Sequence, residues 1–395
     1  MTSKAEFKNK SIAVVGAGPA GCMCAYFASK TCDVTLFDFS KPLHTLLYTG
    51  GGRCNLAYAE YDFKELVKFY PRGEKFLYSV FSKFSTYDTI DFFNSININT
   101  YTQDDLRIFP TSNSAAEVRK KFLNELNHCA FIKEKVISIE QRENDFQLTT
   151  ETNSYYFDNV VIATGGHAGF EIAKNLGHKI IEPKPALTGL ITKESFKLIQ
   201  GVSLKKVLAN IFFENKQVAS LQDDILFTHS GISGPLTYQI SSICARLNYS
   251  VKNPILIKLD FIQKETNLQC MFNLNPKKDI KNLLAELVPK SLAEYILKVN
   301  GVNFEQKCCE INGKIRDLIL KSLIEFKITA VSVTKEGEIV TSGGVCLDEI
   351  NPKTMQSKLI RGLYFCGETI DIDGFCGGFN LQNCWSTGFV AGNAL

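Results

Sequence analysis

Short apolar runs closed by glycines mark the beginning and the end of this chain, and a different texture fills its middle. The first run, Ile12 to Val15, suits a buried parallel strand and stops at Gly16-Ala17-Gly18-Pro19-Ala20-Gly21, after which small residues continue as a helix to Ser29. A second run, Asp33 to Asp38, reads as a strand ending in a carboxylate. Residues 62 to 96 carry helix-like spacing with many aromatics (Phe63, Phe69, Phe76, Phe81, Phe84, Phe92 and Phe93), which reads as core. Thr100 to Pro110 suggests short strands and a turn. Ser114 to Asn127 suggests a helix, with Ser114 as its cap and Glu117 three residues on, the capping-box pattern. Phe131 to Thr150 alternates apolar and polar residues, and Tyr155 to Ala163 reads as one further strand, followed by Thr164-Gly165-Gly166-His167. A short helix over 169–177 and the break Pro183-Lys184-Pro185 look like a domain exit.

From Ala186 to about Thr334 the pattern changes to short strands (Gly189–Thr192, Val207–Phe213, Pro254–Asp260) and then a lysine-rich helical region, Lys277 to about Leu323. The tail returns to the opening texture. It holds a strand at Ala330–Val333, a glycine turn over Thr341–Val345, and a buried strand over Gly362–Cys366 ending at Gly367-Glu368. A closing helix follows from about Leu381 to Ala391.

At 395 residues the chain exceeds the ~250–300 that one hydrophobic core supports, so two or three domains are expected. A hydrophobic fraction of 45% is ample for burial, and a net charge of +3 with 22% charged residues sets up no global field for nucleic acid or an acidic membrane. Thirteen cysteines scattered through an α/β pattern without a leading signal peptide read as thiols of a reducing cytoplasm. No apolar stretch reaches the ~20 residues of a membrane span, so a cytoplasmic protein is expected. Neither Cys/His spacing nor the five histidines suggest a metal site.

The opening strand, glycine turn, helix, strand and terminal acid together form a dinucleotide-binding pattern. In it Gly16 makes the tight turn, Gly18 lets backbone approach a pyrophosphate, and Gly21 packs the helix on the sheet. The helix N-terminus faces the phosphates, and Asp38 is placed for a ribose hydroxyl. Gly50-Gly51-Gly52 ahead of Arg53 is either backbone that lies against a ligand, with a guanidinium for phosphate, or a flexible surface loop. Ala163-Thr164-Gly165 brings a second turn to the carboxyl edge of the sheet, where ligands of such sheets bind. No GxGxxG recurs in the middle region, so a second Rossmann domain for a nicotinamide nucleotide is not supported.

Six segments carry a family likeness: GAGPAG (16–21), TGGGRCN (49–55), ATGG (163–166), LFTHSGISGP (226–235), TSGGVCLDEINPKTMQSK (341–358) and GLYFCGETIDIDGFCGGFNLQNCWSTGFVAG (362–392). Over nearly the whole chain they resemble the BaiN/YhiN-like flavoproteins, also labelled NAD(P)/FAD-dependent oxidoreductases or aminoacetone oxidase family FAD-binding enzymes. The resemblance implies an α/β fold and non-covalent FAD. The FAD would sit in a discontinuous Rossmann-like domain (residues 1–186 and 335–395), with an inserted β-barrel-like domain (187–262 and 324–334) and a small helical domain (263–323). It further implies cofactor contacts at Gly16, Gly18, Pro19, Ala20 and Gly21, at Asp38, and at Gly51, Gly52, Arg53, Cys54 and Asn55. Val136, Ala163, Thr164 and Gly165 would follow. Gly367, Glu368, Asp373, Gly377, Gly378, Asn380 and Leu381 would lie towards the ribityl chain and isoalloxazine. Two features depart from the family pattern: Asp38 stands where Glu is usual, and the loop after ATGG is shortened.

Flavin disulfide reductases carry two cysteines a few residues apart near position 54, and Cys54 has no such neighbour. The closing helix, entered through Gly377-Gly378, either faces the flavin, where its N–H groups stabilise the reduced ring, or merely covers the sheet. His229 and His167 are the candidates for a catalytic base, each weighed against a loop-holding role. Cys366, Cys376 and Cys384 are either redox-active or small packed thiols. The reading is an FAD-dependent oxidoreductase moving hydride to or from flavin N5 on a small organic substrate, with NAD(P)H as possible transient donor. The alternatives are a flavin-dependent RNA-modifying enzyme, although nucleic acid is not expected from the charge balance, and a non-catalytic FAD-binding redox sensor.

Overall fold

The computed structural model describes residues 9–166, 169–262, 268–334 and 340–395. The chain divides into two units, Met1–Lys184 with Val340–Leu395, and Pro185–Ile339.

The first unit is built on a parallel sheet of five strands in the spatial order Leu363–Phe365, Asn159–Ile162, Ser11–Val15, Asp33–Phe37, Ala130–Ile132. The strands Ser11–Val15, Asn159–Ile162 and Leu363–Phe365 are almost wholly buried, which explains their unbroken apolar runs rather than alternation. The opening helix, Pro19–Ala28, starts with proline at its first position and packs against the closing helix, Phe379–Gly392. Small residues make that contact possible: a Cβ at Gly388 or Gly392 would stand 2.5 Å from the carbonyl oxygen of Ala20 or Cys24. The closing helix begins two residues earlier than its apolar pattern suggests, because Gly378, at φ 101°, ends the preceding loop in a conformation that few other residues adopt.

The strand expected over Tyr155–Ala163 is two strands. Ser154–Phe157 joins an antiparallel sheet with Val136–Gln141 and Phe146–Thr150, whereas Asn159–Ile162 enters the parallel sheet. The switch falls at Asp158, whose carboxylate accepts hydrogen bonds from the Ser11 backbone N–H (2.7 Å) and hydroxyl (2.8 Å). The aromatic region resolves into the helices Phe63–Leu66, Glu74–Phe81 and Thr86–Ser95, with Phe76, Phe81, Phe84, Phe92 and Phe93 buried. Ser114 caps its helix by accepting from the Glu117 N–H at 3.2 Å, while the Glu117 carboxylate pairs with Lys121.

The second unit contains a closed six-stranded antiparallel barrel. Its order is Leu190–Thr192, Gly231–Ser233, Lys216–Thr228, Ser203–Phe213, Ile255–Asp260 and Phe326–Val333, which pairs back onto the first. Ile211, Ile225, Phe227, Ile257, Leu259 and Ile328 fill it in alternation with outward residues. The long hairpin turns at Glu214-Asn215, both at positive φ, as a two-residue turn matched to strand twist requires. Between two adjacent barrel strands the chain runs through the helices Leu268–Leu274, Ile280–Leu284, Lys290–Val299 and Gly313–Ile324. Among the described residues no helix is long and apolar enough to cross a membrane.

Candidate cofactor site

All five parallel strands end on one edge of the sheet, and the first unit gathers most of the expected residues there. At the first turn the three glycines do different jobs. The Gly16 N–H donates to the Phe37 carbonyl at 2.8 Å, and a Cβ at Gly16 would lie 2.4 Å from the Ala163 carbonyl oxygen. A Cβ at Gly21 would lie 1.9 Å from the Gly16 carbonyl oxygen. Gly18 has nothing within 4 Å on that side. Two glycines thus bring the strand, the next turn and the helix together, and the third leaves backbone open to a ligand. Pro19 begins the helix, and buried Ala20 lies beneath Gly367, where an added Cβ would be 2.6 Å from the Ala20 Cβ.

Asp38 is half-buried and already busy. One carboxylate oxygen accepts from the Ala17 N–H at 2.8 Å, the other from the Ser40 N–H and hydroxyl, each at 2.8 Å. Of roughly four lone-pair positions, three are taken by the turn it stabilises. The aspartate therefore shapes the turn.

The Gly50–Asn55 stretch is a sharply folded loop, with positive φ at Gly50, Gly51, Gly52 and Cys54. Gly51 and Gly52 are exposed, and a Cβ at Gly51 meets nothing within 4 Å. The Arg53 guanidinium lies 4.0 Å from the Phe109 ring centroid, and its Nε donates to the Gly50 carbonyl at 3.3 Å. Stacking fixes the plane of the cation while leaving its other donors for an anion. Cys54 is fully buried, and burial pushes its thiol up to about 12, so it is packing rather than a nucleophile. Asn55 is almost buried, and its Oδ1 has no hydrogen-bond partner among the described residues. A buried amide oxygen left open in this way fits a ligand donor.

Val136 is buried at the start of its strand. Ala163 is held by its N–H to the Val15 carbonyl at 2.8 Å, and beyond Thr164 the open side of Gly165, at φ 74°, again has nothing within 4 Å. After the last strand, the Gly367 N–H donates to the Thr387 hydroxyl at 2.9 Å. Glu368 is half-buried, and its carboxyl is raised to about 7, first by desolvation and then by the Asp373 charge. Asp373 has no exposed surface; Arg72 Nε donates to its Oδ1 at 2.7 Å and Arg72 Nη2 donates to Oδ2. The Asn380 side chain is likewise committed, donating to the Gly374 carbonyl (2.9 Å) and accepting from its N–H (2.8 Å). Gly377 and Gly378 precede the closing helix at positive φ, with half-buried Leu381 in its first turn.

His229 is not in this unit. It is exposed in the turn between two barrel strands and has no hydrogen bond to a described residue. His167 lies outside the described residues. Cys366 and Cys384 are buried free thiols whose pKa values are raised well above normal, Cys366 by a hydrogen bond with the Cys24 thiol and by burial, Cys384 by burial, whereas Cys376 is exposed. Among the described residues no His/Cys/Asp/Glu group could hold a metal. Sequence reasoning missed Arg72 and Tyr70. The signal available was Pro71-Arg72-Gly73, an arginine set in a break inside an aromatic helical region.

An edge left open at Gly18, Gly51 and Gly165, with an unpartnered Asn55 oxygen beside it, fits an extended dinucleotide cofactor. The family model described as HI0933-like protein Rossmann domain matches residues 10–394. The chain belongs to this family. The chain is an FAD-dependent oxidoreductase, as its motifs implied. It is 27% identical over 402 residues to the ribosomal RNA dihydrouridine synthase of Escherichia coli (strain K12), covering 97% of each chain. It is 28% identical to the ribosomal RNA dihydrouridine synthase of Haemophilus influenzae, over 95% of this chain and 96% of the relative. It is 26% identical to the 3-dehydro-bile acid delta(4,6)-reductase of Clostridium scindens, over 97% of this chain and 98% of the relative.

Proposed function

We propose that this flavoenzyme is a reductase that adds hydrogen across a carbon–carbon double bond conjugated to a carbonyl. One observation carries the reading. Relatives spanning almost the whole chain are named for two substrates, a uridine and a dehydro bile acid, that share this element of structure. In each, the carbonyl leaves the far carbon of the double bond electrophilic, ready for hydride, and the near carbon takes a proton.

When bound, FAD supplies the hydride chemistry. The chain's own part is to hold and polarise. The backbone at Gly18, Gly51, Gly52 and Gly165 lies along the cofactor, shaped by Gly16, Gly21, Pro19, Ala20, Ala163 and Thr164. Arg53 pairs with phosphate, Asp38 with a ribose, Val136 with the adenine side, and Asn55 Oδ1 accepts from the cofactor. Glu368 takes a ribityl hydroxyl, while Gly367, Gly377, Gly378 and the first turn of the closing helix place N–H groups where negative charge collects. His229, exposed in the turn between two barrel strands, is the proposed proton carrier. NAD(P)H is the proposed electron donor.

A second reading takes the uracil of an RNA as the substrate. Two of the relatives are named for ribosomal RNA, and the second unit carries 20 Lys and Arg against 15 Asp and Glu, whereas the first carries 24 against 26. The even charge of the whole chain conceals this asymmetry.

The test is anaerobic reoxidation. Holoenzyme reduced with NADPH or light is mixed with free uridine, a uridine-containing ribosomal RNA fragment, or a steroid enone. Return of the yellow colour with one of them is expected, and the RNA fragment alone acting would select the second reading. If only dioxygen restores the colour, the protein is an oxidase and the proposal fails.

A further inference from the structure

The glycine-rich loop before the closing helix is clasped from within by the Asn380 side chain on Gly374, and its glycines leave the rest of its path open. Gly374, Gly377 and Gly378 fall within five residues, the last two at φ 144° and 101°. Glycine backbone of this kind samples many conformations unless something outside it chooses one. The choice is made by a segment some 300 residues earlier in the chain. The Phe69 carbonyl accepts from the Phe375 N–H at 3.0 Å, and the Phe69 ring stacks on Phe379 at 4.6 Å with 11° between planes. Buried Tyr70 donates its hydroxyl to the Phe379 carbonyl at 2.6 Å, and its ring bars any side chain at Gly374, where a Cβ would be 2.8 Å away. Arg72 grips Asp373 through two nitrogens.

We infer that Tyr70 and Arg72 are positioning residues. They set the loop 371–380 in the shape that receives the isoalloxazine, and Arg72 balances the buried Asp373 charge there. The inference rests on the proposed placement of the flavin at this loop. Burial holds the Tyr70 proton firmly, so the hydroxyl is a permanent donor to the first turn of the closing helix. Without Arg72, Asp373 would lose its guanidinium partner beside Glu368, a carboxyl already raised by burial and then by the Asp373 charge. Uncompensated negative charge in this corner opposes the extra electrons of reduced flavin, and an unheld loop presents its N–H groups in no fixed direction.

The experiment compares wild-type protein with Arg72→Met, Arg72→Lys, Tyr70→Phe and the double variant Arg72→Met/Asp373→Leu. Four quantities are measured: apoprotein melting, FAD dissociation constant, visible circular dichroism of bound FAD and midpoint potential. The double variant replaces a buried ion pair by apolar side chains, which generally leaves the fold intact. It is expected to melt within a few degrees of wild type yet bind FAD at least tenfold more weakly, with altered flavin dichroism. Arg72→Met is expected to favour oxidised over reduced FAD by a further tenfold, a fall of about 30 mV for a two-electron couple. Arg72→Lys restores most of that potential, and Tyr70→Phe weakens FAD binding several-fold without a potential change. Wild-type affinity, dichroism and potential in the double variant and Tyr70→Phe would overturn the inference while leaving the FAD site standing. If the double variant does not fold, Tyr70→Phe decides by FAD affinity and flavin dichroism. A wild-type protein that takes up no FAD would instead sink the site itself.

Discussion

The two turns that bracket the proposed cofactor edge are made in opposite ways. The turn at 16–21 takes its hydrogen bonds from nearby in the chain, to Phe37, Asp38 and Leu43, all within 27 residues of Gly16, while Ala163, Gly367 and Gly388 pack closely against it. The loop at 371–380, beyond the Asn380 clasp on Gly374, is held from outside, by side chains at 70 and 72 that reach across 309 and 301 residues. Local devices leave a sequence motif, since glycine must recur at set spacing. Distant devices leave only a tyrosine and an arginine among many.

The comparison is broken most severely at Gly21. A Gly21→Val variant forces a side chain 1.9 Å from the Gly16 carbonyl oxygen and is expected to lose ~3 kcal/mol or more, seen as failure to fold in denaturant titration. Gly18→Ala, where the space is open, should melt like wild type and still lose about tenfold in FAD affinity, ~1.4 kcal/mol. If both variants behave alike, the division of labour among these glycines is wrong.

At the other turn, removing Arg72 or Asp373 alone leaves one buried charge and should cost about 3–5 kcal/mol, while removing both should cost little. A double-mutant cycle in urea measures this, and additive losses would show that the pair is not coupled. Next in size is a pH effect. His178 is buried, its Nε2 bonded to the Ser357 hydroxyl at 2.8 Å, and burial lowers its pKa against a weaker opposing pull from Glu349. The unfolded chain then binds a proton that the folded chain resists. The stability this histidine contributes is present above about pH 6.5 and is lost as pH falls below it. His178→Gln should flatten that acid limb in melting temperature. The smallest effect is expected from Tyr70→Phe on stability alone, about 1 kcal/mol for one hydrogen bond.

What was legible follows the same division. The parallel sheet and both glycine turns were readable because buried strands and tight turns constrain nearest neighbours in sequence. The break at Asp158 was not, because apolar character continues across it and only the bond to Ser11 separates the two strands. The barrel came from resemblance rather than pattern. Its longest strands run 11 and 13 residues, while unbroken apolar alternation covers only part of each. At the site, the open glycines were foreseen, whereas the engagement of Asp373 and Asn380 with protein partners depends on which side chains lie behind the loop.

The close packing of the opening helix on Gly388 and Gly392 also sets a schedule for synthesis. A ribosome adding roughly 5–20 residues each second needs on the order of tens of seconds to pass from residue 28 to residue 392. For that interval the opening helix waits with one apolar flank uncovered, a natural client for a chaperone, and the cofactor edge is completed only when the closing helix has cleared the exit tunnel.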